Sequence, residues 1–401
     1  MALLDFNALT TAAPDYLAKS FAANMVRYAP NGMAPLFALS SMLGDKTAAS
    51  VEHGYFAKTM VFPSATLTAG VADGVATTVT VASTSTQVVG DLLRAQSTGE
   101  ILRVTAINSA TQLTVARGVG QIAAGAIANG VRLYGIGNAF EQGSNRPASR
   151  LMIPTRVMNF TQIIRNSWAL PGTLEAIKTI VGEGNVAESR MDCGLFHAAD
   201  IEKAIIFGQR SASTVNGQYM TTMDGLVEVV RRLAPAANTN TAAATTNFTQ
   251  LEAMLNPCFN VINDGRNGNE RTLFVGGTAR TVINNIGRLN GTYQLVDGQT
   301  NFGLQFSTFK TSRGTFKMIE HPLFNSNDDW SKLAIAVDLP TFKLAYLPGR
   351  KTQNREYNMS GTPVDQGIDA VGGTLTSELT TEIINPAANA VIWGLTAAAV
   401  G

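Results

Sequence analysis

The chain has 401 residues, with 30 Lys and Arg against 29 Asp and Glu, a net charge of +1 and 15% charged residues, well below the roughly 25% usual for soluble domains. At roughly 150 residues per domain, that length predicts two to three domains. The balanced charge excludes both a strongly basic nucleic-acid binder and an acidic tail protein, and charge-poor chains tend to associate.

Residues 1 to about 62 carry scattered apolar residues and repeated breakers (Pro14, Pro30, Gly32, Pro35). They predict an extended arm with at most short helices, one from Tyr16 to Tyr28. Such an arm cannot offset its own ordering entropy, so it needs a body or a second subunit to lie on. From Pro63 to about Gly137 short β-branched runs alternate with Gly and small polar residues. In the run from Ile101, Leu102, Val104 and Ala106 alternate with Arg103 and Thr105, the pattern of a half-buried strand, and Asn108 to Thr111 supply a turn. The expectation is a small all-β module, with a helical turn at Ala123 to Asn129.

Asn185 to Gly208 predicts a long helix with Met191, Leu195, Ala198, Ile201 and Ile205 on one face, interrupted by Gly194 and Glu202. Phe196 and Phe207 lie opposite, so both sides should touch protein, within the subunit or across an interface. Met223 to Leu233 predicts a shorter helix, and Pro235 to Thr246 a flexible surface loop. Asn247 and Gln250 form a capping-box start for a helix with Phe248, Leu251, Leu255, Phe259 and Ile262 inward. A strand from Arg271 follows, then a helix capped by Thr278 with Ala279, Val282, Ile283, Ile286 and Leu289 inward. The remainder is strand-rich, ending in GTLTSELTTEI and NAVIWGL. The near-repeat of Asn159-Phe160-Thr161-Gln162 at Asn247-Phe248-Thr249-Gln250 is too short to mark a duplication.

Chemistry is sparse. Two cysteines, Cys193 and Cys258, are too few for a disulfide framework and point to a reducing compartment. The N-terminus lacks a basic n-region, and no apolar run reaches the ~18 residues that span a bilayer, so neither secretion nor membrane insertion is expected. The histidines, His53, His197 and His321, are isolated in sequence. Cys193 and His197 sit four apart on one helical face, but a zinc site needs further ligands, so both are assigned structural roles. No G-x-S-x-G elbow or Walker A sequence occurs.

Gly182 to Ala187 matches G-x-G-x-x-A at the start of the long helix. Its acidic partner at the right distance, Glu202, lies in the same helix rather than ending a strand, and Glu183 would repel a pyrophosphate. A hinge capping the helix is the better reading. The basic groups Arg231-Arg232 and Arg350-Lys351 with Arg355 lack interleaved aromatics and fit solvated or subunit-facing charge. No catalytic, cofactor-binding or metal residue is assigned, and no cofactor is expected.

The stretch VGDLLRAQSTGEILRVTAINSATQLTVARGVG, followed by IGNAFEQGSNRP, RVMNFTQIIRNSWALPGT and DIEKAIIFGQRS, resembles the major capsid proteins of tailed bacteriophages. It is most similar to the short-tailed-phage group with a β insertion in the extended loop. The resemblance covers about residues 60 to 290 and implies the Hong Kong 97 phage capsid fold, an α+β class. It implies an N-terminal arm (1–50), an extended loop (51–164) bearing the β insertion (63–140), a peripheral domain (165–222 plus 347–401) with the spine helix 185–208, and an axial domain (223–346). It further implies a virion shell protein made in the host bacterial cytoplasm, assembling as pentamers and hexamers around double-stranded DNA. Its partners would be a separate scaffolding protein, a portal and a cement protein. No Lys/Asn cross-linking pair with a catalytic Glu can be matched. A tail or surface-lattice protein, and an α/β enzyme using Gly182 to Ala187, are the alternatives.

Overall fold

The helix expected from Asn185 runs Asn185–Phe207 in the computed structural model, and a sheet of five strands lies under it. The structure describes residues 34–58, 62–147, 149, 152–176, 185–260, 268–289, 300–301, 304–305, 307–358, 367 and 369–399. The expected helix Tyr16 to Tyr28, most of the expected arm and Gly182 to Gly184 lie outside those residues. The chain divides into two units, one made of residues 1–55 and 158–401 and the other of residues 56–157.

The smaller unit holds six antiparallel strands in the order Ser64–Thr66, Arg132–Asn138, Asp91–Ala95, Ile101–Ile107, Gln112–Ala116 and Thr78–Thr80. The outer two meet through a bridge between Leu67 and Val81 and bonds from Thr68 N to Thr80 O and Ala82 N to Thr66 O. The sheet thus closes into a small barrel, which removes its edges. Leu93, Leu102, Val104, Leu113, Val115 and Leu133 fill the interior. Leu102 and Val104 point inward as the alternation predicts, whereas Ala106 is only half-buried because the register shifts between Val104 and Ala106. The helical turn expected at Ala123 to Asn129 does not form; Ile127 instead bridges Val71 and enters the core.

In the larger unit, Ala370–Ile383 is the central strand. It pairs with Gln162–Pro171 along one edge, and Phe342–Tyr346 and Gln353–Tyr357 share the other. Its β-branched residues suit a strand covered on both faces. Gly373 has a structural reason: a Cβ there would come within 2.9 Å of Trp168 Nε1. The second sheet runs Thr239–Thr241, Ala390–Trp393, Ala334–Val337, Glu270–Val275, Thr315–Glu320, Ser307–Lys310. Its strand Glu270–Val275 sends Phe274 into the core that receives the long helix and Leu273 and Val275 into the core under the helix Gly277–Leu289. Alternation across a doubly covered strand explains why every residue of that strand except Glu270 is buried.

Several expectations are corrected. The long helix buries Cys193, His197, Ile201, Glu202, Ile205 and Ile206, while Met191 and Leu195 are exposed. The inward face is rotated because the polar pair His197 and Glu202 has its partners inside. Phe207 does touch protein, stacking on Trp330 at 4.6 Å, but Phe196 is 65% exposed. The shorter helix starts at Leu226, not Met223. The loop expected from Pro235 contains the strand Thr239–Thr241. Asn247 and Gln250 form the expected capping box, yet the helix ends at Leu255 and passes into a 3-10 turn. Gly276, not Thr278, precedes the next helix, and Leu289 is exposed. The expected boundary at 346/347 does not separate the sheets, since Phe342–Tyr346 joins Ala370–Ile383 and Ala390–Trp393 joins Ala334–Val337.

Candidate functional site

Of the polar groups the sequence singles out, His197, Glu202, His321, Cys193 and Cys258 are buried, and both buried histidines and Glu202 hold hydrogen-bond partners. His197 links helix and sheet. Its Nδ1 lies 2.7 Å from Asn166 Oδ1 and its Nε2 2.7 Å from Ser377 Oγ, while Asn166 Nδ2 donates to Asp200 Oδ2 and Ser377 Oγ lies 2.8 Å from Thr352 Oγ1. An amide oxygen only accepts, so Nδ1 bears the proton and Nε2 accepts from the serine. The set matches a nucleophile, base and orienting amide in composition. Ser377 and His197 are nevertheless sealed in the core, at 0% and 3% exposure, so no substrate carbonyl can reach them. Burial holds the His197 imidazole below its usual pKa, with the Asp200 carboxylate opposing. Burial also pushes the Cys193 thiol up, leaving it protonated and unreactive.

His321 Nε2 and Glu202 Oε1, 2.8 Å apart, make the second joint. Glu202 interrupts the apolar stripe in the sequence, which does not show what it binds. The available signal was a carboxylate inside a buried face, which requires donors. Because Glu202 is fully buried and its oxygens are bound to backbone N–H groups and to His321, it is not free to hold a ribose, as the dinucleotide reading of Gly182 to Ala187 requires.

The Asn159-Phe160-Thr161-Gln162 motif forms a third joint. Asn159 Nδ2 donates to Asp224 O, Thr381 O and Thr381 Oγ1, and its Oδ1 accepts from Asp224 N. Thr161 Oγ1 donates to Glu378 Oε1, and Gln162 Oε1 accepts from Met223 N. Three distant segments, 159–162, 223–224 and 378–381, are thereby fixed to one another. The copy of the motif at Asn247 does something different, since it caps a helix.

His53 is the third histidine. Its Nε2 lies 2.6 Å from Glu382 Oε2, and Lys46 Nζ reaches the other oxygen of that carboxylate. Among the described residues no group of three or more His, Cys, Asp or Glu is placed to hold a metal. The basic residues are largely paired: Arg231 with Glu228, Arg232 with Asp224, Arg350 with Glu378 and Lys351 with Asp45. None of these groups gathers into a phosphate-binding cluster.

The surface carries several large apolar side chains. Met191, Leu195 and Phe196 stand out from the long helix, Val215, Tyr219 and Met220 from a hairpin that follows it, and Phe56, Phe62 and Ile153 from the smaller unit. Single exposed apolar residues are common on monomers, and it is contiguous apolar patches that mark places where another protein sits.

The family model described as SU10 major capsid protein matches residues 5–396. The chain is 40% identical over 389 residues to the major capsid protein of Pseudomonas phage PaMx41, covering 94% of this chain and 92% of that protein. Solved structures to which the chain is similar include that of Microbacterium phage Oxtober96 (TM-score 0.48, 11% identity, 98% of this chain and 99% of the other). That of Mycobacterium phage Cain follows (0.47, 10%, all of both chains), with the holo-SrpI encapsulin complex of Synechococcus elongatus PCC 7942 (0.45, 7%, 98% and 96%).

Proposed function

The chain belongs to the SU10 major capsid protein family and is a structural component of the phage head, and we propose that it builds that head as pentamers and hexamers around packaged double-stranded DNA. The observation that supports this is the division of labour among its residues. Polar groups that could do chemistry are buried and spent on joining segments, while large apolar groups such as Phe196 and Tyr219 are left at the surface. A protein whose work is association needs that arrangement, because apolar area removed from water at roughly 25 cal/mol per Å² drives the contact.

On this reading residues 1–50 are the arm, and the barrel rides on an extended loop, 51–164, that reaches a neighbouring subunit. The five-stranded sheet with its long helix is the peripheral domain and the six-stranded sheet the axial domain. The near-neutral charge suits DNA confined by a wall and not gripped at its phosphates. The protein has no enzymatic role and needs no cofactor. It is made in the host bacterial cytoplasm and works with a separate scaffolding protein, a portal and a cement protein.

Electron micrographs of the purified full chain, with and without co-expressed scaffold, test the proposal. Closed shells of pentamers and hexamers are expected. Tubes or flat lattices would instead indicate a tail or surface-lattice protein, and small oligomers with stoichiometric nucleotide an enzyme.

A further inference from the structure

Strands Ser211–Val215 and Gln218–Thr222 form a two-stranded hairpin closed by Asn216 and Gly217, whose φ values of 51° and 75° suit a two-residue turn that follows the strand twist. Among the described residues its side-chain hydrogen bonds to the rest of the chain lie at its base. Thr221 Oγ1 donates to Thr161 O, Thr222 Oγ1 to Gln209 O, and Met223 N to Gln162 Oε1. Beyond the base the chain is exposed on both faces, with Tyr219 63% and Val215 46% exposed. At about 3.3 Å per residue, five residues per strand carry the tip roughly 17 Å.

Three features set this hairpin apart. A lone two-stranded hairpin is marginal in water, yet this one pairs in continuous register over five positions. Among the described residues no third strand pairs with either edge. It also lacks every device that keeps open edges from pairing with other chains: no Lys, Pro or bulge occurs, and no charged residue lies between Arg210 and Asp224.

We infer that the hairpin Ser211–Thr222 is a docking element for a second copy of this chain, covered in the assembled protein through Val215, Tyr219, Met220 and its strand edges. A second copy is the partner its chemistry fits. Identical copies bring identical charges to a contact, and a neutral strand pair meets a copy of itself or its parent without repulsion. A hairpin without cationic side chains does not fit DNA, whose phosphates demand them. The inference rests on the shell-forming role proposed above and adds where one contact lies.

The test uses Tyr219→Cys in the full chain, because the native thiols Cys193 and Cys258 are both buried and give little background. Maleimide labelling rates are measured on dissociated subunits and on assembled particles, and particle yield is measured for Tyr219→Lys. The expected results are at least tenfold protection of the introduced thiol in particles, and for Tyr219→Lys a soluble subunit with unchanged circular dichroism and at least a tenfold loss of particles. Equal labelling in both states, or normal particle yield from Tyr219→Lys, would overturn the inference while the shell-forming role stands. Failure of the wild-type chain to form particles under any scaffold condition would defeat both.

Discussion

The His321 ring and the Glu202 carboxylate form a fully buried pair, with Nε2 2.8 Å from Oε1. The same carboxylate accepts from Leu36 N through Oε1 and Phe37 N through Oε2, each at 2.8 Å. It caps the helix Pro35–Met42 from a different helix, supplying the acceptor that Ala34 lacks. His321 is held in turn by Phe324, which stacks on it at 4.3 Å. Its Nε2 donates to the carboxylate, which can only accept, and among the described residues its Nδ1 has no partner.

Replacing Glu202 with Ala strands two helix N–H groups and the imidazole in the core. The expected cost is about 3–5 kcal/mol, read as a lower denaturation midpoint together with faster proteolytic cleavage near residues 35–42. Glu202→Gln keeps an acceptor and should cost clearly less. Equal losses for both variants would show that the carboxylate is not what holds the helix.

The long helix separates burial from exposure along its own length. Ile205→Asp places a carboxylate among core residues and should abolish folding, a cost of several kcal/mol. Leu195→Asp lies on the exposed face and should change subunit stability by at most about 1 kcal/mol. Denaturation of the two purified subunits distinguishes them. A Leu195→Asp subunit as unstable as Ile205→Asp would contradict the observed face.

Acid should weaken the subunit in two windows. The depressed His197 means that below the unfolded value of about 6.5 the unfolded chain binds a proton that the folded chain refuses, so stability falls as pH drops through that range. At Glu100, burial pushes the carboxyl up, but the bonds from Arg117, Gly125 and Gly118 outweigh it and hold the pKa below normal. Its contribution is present above about 4.3 and is lost as pH falls through the folded value. Stability against pH for His197→Gln should lose the first slope and keep the second.

Inside the barrel, Arg117 and Glu100 form a buried two-pronged pair at 2.6 and 2.8 Å. Glu100 also accepts from Gly118 N and Gly125 N. Glu100→Leu alone leaves a buried guanidinium uncompensated and should lower the barrel's stability by about 3–5 kcal/mol. Adding Arg117→Met should recover most of that loss. A double variant as unstable as the single one would mean that backbone contacts of Arg117 to Asp73 O, Ala76 O and Gly125 O dominate.

Both cysteines should be silent in the native state. Burial pushes the Cys258 thiol up to about 12, and a thiol reagent at pH 8 should react with Cys193 and Cys258 only after denaturant is added. Rapid native labelling would show that the core around them opens.

What the sequence determined by itself is local. The span of the helix from Asn185 follows from periodicity, and the capping box at Asn247 and Gln250 follows from two residues three apart. The inward side chains Leu102 and Val104 follow from alternation. Each depends on neighbours within a few positions, and short-range physics decides it. Tertiary structure alone decided which side of the long helix faces inward. That choice depends on Glu202 meeting the backbone of residues 36 and 37 and on His197 meeting Asn166 and Ser377, partners far away in sequence. It also decided that Phe342–Tyr346 and Ala390–Trp393 enter different sheets, because a β-strand's pattern records that its faces are covered and not which strand lies beside it.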